Sequence, residues 1–279
     1  MRQPKSPYTD STDPMPDSQP LTGQVALVTG GTRGIGRAVA AFLLDAGIQV
    51  VLTGTNRQAA EETAAQLAAE SPTGALAHGA ACDVTDDASV AALAAFVRDR
   101  CGRLDILVNN AGLGIYHPTP ELSLEDFRRV VETNLTGVFR VTKALLPLLL
   151  EAAEAAENDA PSGATVINIG SLAGRHPFKG GAAYNASKFG LVGLSEAMML
   201  DLRDAGVRVA TVMPGSVASG FAGRSAEDGT DWKLSPEDVA EAVLGIVLQR
   251  SQALASRIEL RPSRPPVKRP PDWRLRKKS

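Results

Sequence analysis

Val25-Ala26-Leu27-Val28-Thr29-Gly30-Gly31-Thr32-Arg33-Gly34-Ile35-Gly36 is the stretch on which the reading of the whole chain turns. A short apolar run ends in a cluster of glycines, and from Gly34 to Ala46 the residues follow the Ala/Leu-rich pattern of a helix. Glycine permits a tight turn and lets backbone approach a pyrophosphate, leaving that anion at a helix N-terminus whose free amides and dipole favour negative charge. A glycine cluster alone serves plain chain reversal equally well. The strand before it and the helix after it favour a dinucleotide site, with Gly30, Thr32, Arg33, Gly34, Ile35 and Gly36 as its candidate contacts.

Outward from that turn the same rhythm repeats. A strand over Gln49 to Thr53 precedes a helix over Gln58 to Ala69, and a strand near Ala75 to Ala81 precedes a helix over Asp87 to Arg100. Asp105 to Asn109 follows as a strand, and Ser123 to about Ala156 reads as a long helix bent near Asn134. Thr165 to Ile169, Ala182 to Asp204, Val207 to Val212, Pro236 to Gln249 and Arg257 to Leu260 complete the alternation. The near-continuous apolar strands, such as Ile106-Leu107-Val108, suit a parallel sheet covered on both faces. The expected fold class is therefore α/β: a doubly wound parallel sheet in a three-layer α/β/α domain.

Length and composition fit one such domain. The chain has 279 residues, 44% hydrophobic and 22% charged, which are ordinary globular values. Residues 21–261 are expected to form it, between a loose arm at 1–20, rich in Pro, Ser, Asp and Gln, and a basic Pro-rich extension at 262–279. Met15 is a possible alternative start. From Arg261 to Ser279 eight Lys/Arg face only Asp272, a pattern read as a solvated tail rather than a nucleic-acid or membrane anchor. Two cysteines, Cys82 and Cys101, give neither a disulfide framework nor a zinc spacing, and no metal site is expected. With no secretory h-region in the arm, a cytoplasmic location is expected. The apolar stretch Ala144 to Leu150 is too short and too interrupted by Pro147 to span a bilayer.

At the end of the second strand, where dinucleotide folds that choose NAD carry an acidic residue, stand Gly54 and Thr55. No carboxylate there repels a 2′-phosphate, and Arg33 and Arg57 are the candidates to pair with one. NADP(H) is the expected preference, with NAD(H) possible. Asp83 is a candidate to accept from the adenine amino group, or simply a helix cap.

Tyr184-Asn185-Ala186-Ser187-Lys188 places a phenol and an ammonium four residues apart, on one face of a helix. A phenol titrates near 10, and an adjacent ammonium stabilises the phenolate and makes acid/base work near neutrality accessible. A Tyr-x-x-x-Lys spacing by itself is mostly a solvated helix face. Asn134-Leu135-Thr136 and Asn185-Ala186-Ser187 read as glycosylation sequons but lie within these candidate motifs, and Gly170-Ser171-Leu172-Ala173-Gly174 lacks the glycine two residues before the serine that a hydrolase elbow needs.

From Leu21 to about Leu260 the chain resembles the short-chain dehydrogenase/reductase family, a Rossmann-type fold. The resemblance rests on the Thr29 to Gly36 turn, Asp83, Asn109-Asn110-Ala111-Gly112, Asn134, Ser171, Tyr184 with Lys188, and Pro214-Gly215. It implies an oxidoreductase that moves a hydride between nicotinamide and a carbonyl/alcohol pair. By that resemblance Tyr184 donates the proton to the carbonyl oxygen and Ser171 hydrogen-bonds the same oxygen. Lys188 binds the nicotinamide ribose and lowers the Tyr184 pKa, and Asn134 holds a relay water. Val84, Asn110, Ala111, Gly112, Pro214, Gly215, Val217 and Ser219 join the cofactor set, Ser219 standing where many members carry threonine. The resemblance also implies a homodimer or homotetramer, although Ile258-Glu259-Leu260-Arg261-Pro262 replaces the Asp-Gly-Gly run of many ketoreductases and puts the tetramer contacts in question. The competing reading is a non-catalytic NADP(H)-binding redox sensor, disfavoured because Ser171, Tyr184 and Lys188 are all present.

The substrate pocket is expected from Gly114 to His117, Leu172 to Phe178 and Ser216 to Trp232. Leu172, Pro177, Phe178 and Phe221 suit an aliphatic or alicyclic ketone, Arg175 and Lys179 an anionic carrier such as a phosphopantetheine arm, and Ser219 to Leu234 a closing lid. His78 is expected at a strand, and His117 and His176 near the pocket.

Overall fold

The computed structural model of the protein describes residues 21–156, 163–221, 232–250 and 252–266. The expected arm, most of the 156–163 loop, most of the lid and most of the basic tail lie outside the described residues. Seven strands form one sheet: β1 (Val25–Val28), β2 (Gln49–Gly54), β3 (Ala77–Ala81), β4 (Ile106–Asn109), β5 (Thr165–Ile169), β6 (Arg208–Pro214) and β7 (Arg257–Leu260). Their order is β3-β2-β1-β4-β5-β6-β7, every pairing parallel, so the winding reverses between β1 and β4. A crevice at the C-terminal ends of the strands is the consequence of that reversal.

Among the described residues seven α-helices cover the faces: α1 (Gly34–Asp45), α2 (Arg57–Glu70), α3 (Asp87–Cys101), α4 (Leu124–Val131), α5 (Gly137–Ala155), α6 (Ala182–Leu202) and α7 (Pro236–Val247). One core packs α1, α2 and α7 on the sheet through residues such as Leu43, Leu44, Val50 and Ile246. The other packs α3, α5 and α6 through Leu93, Leu107, Leu145 and Val166. Because both faces are covered, β4, β5 and β6 are buried along their whole length, as their uninterrupted apolar runs require. Local chemistry sets the helix ends. Asn56, Asp86 and Ser123 accept backbone N–H groups at the starts of α2, α3 and α4, and Ser235 forms a capping box with Asp238.

The long helix expected from Ser123 is divided. Between α4 and α5 the backbone takes a π-helical turn, Glu132–Thr136, centred on Asn134. The bend read from the sequence is thus an inserted residue, which turns the Asn134 amide inward. Gly137 then lets α5 lie on Val84, since a Cβ there would come within 2.9 Å of the Val84 side chain. The third strand begins at Ala77 rather than Ala75, and β6 runs on to Pro214. Among the described residues, no helix is long and apolar enough to cross a membrane.

Candidate active site

The crevice has a main-chain end and a side-chain end. At the first, Gly30 and Gly34 sit at φ of 64° and 53°, a region that residues with a Cβ rarely adopt. Gly36 sits on the turn itself: a Cβ there would lie 2.3 Å from the Gly30 carbonyl and 2.4 Å from Asn110 Nδ2. Asn110 braces the turn by donating Nδ2 to the carbonyls of Thr29 and Gly30, both at 2.9 Å. Thr29 Oγ1 in turn accepts the amides of Asn110 and Ala111 at 3.0 Å. No side chain caps α1: its N-cap, Arg33, is extended and exposed, leaving the first amides of the helix without a side-chain acceptor. An open helix N-terminus over a glycine cradle fits a pyrophosphate. Thr32 packs where a Cβ on Gly54 would stand, Ile35 packs on the core, and Ser219 lies over Gly34 with its carbonyl 3.0 Å from where a Cβ would be.

The rest of the cofactor set falls unevenly. Thr55 is exposed beside Arg57, which pairs with Glu61 at 3.7 Å across an open helix face. Asp83 is not the cap of α3; that is Asp86. It accepts from Thr85 through one carboxyl oxygen and stands on the rim of a cleft of about 600 Å3 bounded by Leu113 and the Phe127 to Thr133 face. Val84 is a core residue whose carbonyl accepts from Arg140, so only its backbone remains to meet a nucleotide. Pro214 is buried, and Gly215 donates to Leu260 while passing within reach of Leu172 and Pro262. Val217 bridges to Leu234, which ties the loop after β6 to the approach to α7.

At the other end, α6 carries Tyr184 and Lys188 on one face. Lys188 is buried; its Nζ donates to the Ile169 carbonyl at the end of β5 at 2.8 Å and stands 5.8 Å from the centre of the Tyr184 ring. Gly174 makes room for this packing, since a Cβ there would meet the Lys188 carbonyl at 2.7 Å. Burial lowers the Lys188 pKa to about 8. Burial raises the Tyr184 phenol well above its usual range, Tyr116 raises it further, and a hydrogen bond with Ser171 opposes both. Ser171 begins a 3-10 turn, Leu172–Gly174, and its Oγ also accepts the Ala173 amide.

Asn134 is held by three side-chain hydrogen bonds. Its amide exchanges two hydrogen bonds with the Leu113 backbone, at 2.7 and 2.8 Å, and donates to Ser187 Oγ at 3.1 Å. The side chain therefore fastens the loop after β4 to α6. Beneath it runs a polar chain that sequence reading missed: Asn109 donates to Thr142 and Asn168, and Asn168 donates to Ser195. These partners lie on four separate elements, and no spacing links them.

Of the two cations expected to meet an anion, Lys179 is exposed and Arg175 pairs with Glu259 of β7, which also accepts from Arg261; the two guanidinium groups hold that carboxyl below its usual range. His176 Nε2 lies 3.0 Å from the Arg261 guanidinium. His117 forms a bridge with Gly181, and His78 lies on β3. Asp105 accepts from the Val25 amide and from Arg103. Among the described residues no group of His, Cys, Asp and Glu is placed to hold a metal.

An open parallel sheet with a nucleotide cradle at its switch point and a Tyr-Lys-Ser group beside it defines a nicotinamide-dependent oxidoreductase. Residues 24–229 match the family model described as short chain dehydrogenase, and the chain belongs to that family. It is 33% identical over 250 residues to sulfoacetaldehyde reductase 2 of Chromohalobacter salexigens, covering 86% of this chain and 94% of that one. It is 40% identical over 210 residues to D-threitol dehydrogenase of Mycolicibacterium smegmatis, covering 75% of each. Among solved structures, a metagenomic short-chain oxidoreductase in complex with NADP is 33% identical at a TM-score of 0.73, over 88% of this chain and 99% of that one. An alcohol dehydrogenase of Thermococcus sibiricus complexed with 5-hydroxy-NADP gives 28% and 0.78, over 88% and 99%.

Proposed function

We propose that the protein interconverts a ketone or aldehyde and its alcohol with NADP(H) as preferred cofactor and Tyr184 as the proton-transferring group. The observation that carries this reading is the Ser171–Tyr184–Lys188 group, positioned beside a glycine cradle whose helix N-terminus is open. When bound, the nicotinamide supplies the hydride; the chain's own residues supply the rest. Tyr184, which holds its proton because of its surroundings, donates it from Oη to the carbonyl oxygen as charge develops there. Ser171 Oγ steadies the same oxygen. Lys188, held by Ile169, binds the ribose and keeps a positive charge beneath the phenol. Arg33, exposed at the mouth of the cradle, pairs with the 2′-phosphate, in line with the NADP complexes of the two structural neighbours.

Titrating the purified protein with NADPH and NADH, for wild type and Arg33→Ala, tests the cofactor half. Carbonyl-dependent NADPH oxidation across a ketone and aldehyde panel, with Tyr184→Phe as control, tests the other half. NADPH binding with a silent panel would replace the reading with that of a redox sensor.

A further inference from the structure

Of the chain's seven phenylalanines and three tyrosines, two of each meet at the catalytic phenol. Tyr116 stands edge-on to Tyr184 at 5.6 Å between ring centres, Phe178 lies at 6.4 Å and Phe221 at 6.0 Å, and Tyr116 and Phe178 touch each other at 5.6 Å. Each comes from a different loop: the one after β4, the one before α6 and the one after β6. The first two are clasped together, because His117 bridges to Gly181 and so sets Tyr116 against Phe178. Phe178 is seated from below: a Cβ on Gly181 would lie 2.6 Å from its ring, and Asn185 Nδ2 donates to its carbonyl. Phe178 and Phe221 nevertheless leave 43% and 36% of their surface exposed. A ring seated as Phe178 is, yet left open with Phe221 beside a reactive group, indicates a ligand surface rather than a core.

Resting on the carbonyl-reductase reading above, we propose that Tyr116, Phe178 and Phe221 form an aromatic box around Tyr184 that selects carbonyl compounds bearing an uncharged aryl group next to the carbonyl carbon. Flat rings at these separations and tilts present both edges and faces, which a planar substituent matches and a puckered one does not. A cationic substituent would meet the Lys188 ammonium, 5.8 Å from the Tyr184 ring. An anionic one finds Arg175 already paired with Glu259, and the exposed Lys179 follows Phe178 on the outer side of the loop rather than among the rings. The selection therefore differs from what a sulfonated or polyhydroxylated carbonyl would need.

The test compares acetophenone with methyl cyclohexyl ketone, which matches it in size and apolar character but is puckered, and with sulfoacetaldehyde. It uses the full chain with NADPH. The expected result is a kcat/KM for acetophenone about tenfold above that for the cyclohexyl ketone, with sulfoacetaldehyde poorest. Phe178→Ala, and Gly181→Ala through displacement of the same ring, bring the two ketones to near parity, chiefly through KM. Equal rates for the two ketones in the wild type, or preference for sulfoacetaldehyde, overturn the box while leaving the carbonyl-reductase reading intact. Saturation-transfer NMR of 1-phenylethanol with NADP+ separates the two failures. Ring-proton transfer that is lost in Phe178→Ala, with no turnover of any ketone, keeps the box and rejects the reading; absence of transfer in the wild type rejects the box.

Discussion

At the β1 end of the crevice the candidate functional atoms belong mostly to the main chain, and residues 29–36 with Asn110 supply nearly all of them. At the β5–α6 end they belong to side chains gathered from separate stretches: Tyr116, Ser171, Phe178, Tyr184, Lys188 and Phe221. A backbone cradle tolerates almost no added atom and draws on few side chains, here Thr29 and Asn110. A side-chain site tolerates new shapes and fails when one group is lost. The relatives' names, a sulfoacetaldehyde reductase and a D-threitol dehydrogenase, place different substrates on proteins similar to this chain.

The sharpest test of that contrast is Tyr184→Phe. Loss of the proton donor is expected to lower kcat by about 10³-fold with the NADPH dissociation constant nearly unchanged, measured by steady-state rates and calorimetry. A parallel loss of NADPH affinity would show that the two ends are not separate. At the other end, Gly36→Ala drives a methyl into the Gly30 carbonyl. It is expected to cost about 1–3 kcal/mol of folding stability in urea titrations and to abolish NADPH binding, although no catalytic group is touched.

Lys188→Met should separate stability from function. With its folded pKa lowered to about 8 from an ordinary 10.5, the buried ammonium is costlier in the fold than in the unfolded chain. Between pH 8 and 10.5 the unfolded chain keeps a proton that the fold has released, so wild-type stability rises with pH across that window; below pH 8 the full cost remains. The Met variant is therefore expected to be more stable by about 3 kcal/mol at pH 7 and inactive, with the gap closing towards pH 10.5. A gap independent of pH would show that the lysine titrates alike in the fold and in the unfolded chain, so that burial does not shift it. Smallest is Arg33→Ala, expected to weaken NADPH by about tenfold and NADH little, as for one charge-assisted contact; equal weakening of both would place the arginine elsewhere.

Much of this was legible because it is local. The glycine turn between a strand and a helix, and a tyrosine and lysine one helical turn apart, are short-range patterns whose geometry follows from helix and turn periodicity. Even the bend at Asn134 could be anticipated, though not that it is a π turn or that the amide is spent on Leu113 and Ser187. Arg175 shows the limit. It stands beside an apparent pocket in sequence, and its partner Glu259 lies 84 residues further on. Asp83 shows another, since three residues decided which aspartate caps α3.

The amino-acid sequence by itself determined the class: the order of strands and helices, the nucleotide turn, and the Tyr184–Lys188 pair, because each depends on neighbours a few residues apart. Only the tertiary structure decided the protonation balance of Tyr184 and Lys188, the pairing of Arg175 with Glu259 and the gathering of Tyr116, Phe178 and Phe221 around Tyr184. Burial and electrostatics depend on which distant segments are brought together, and parallel strand pairing brings loops dozens of residues apart to one edge of the sheet.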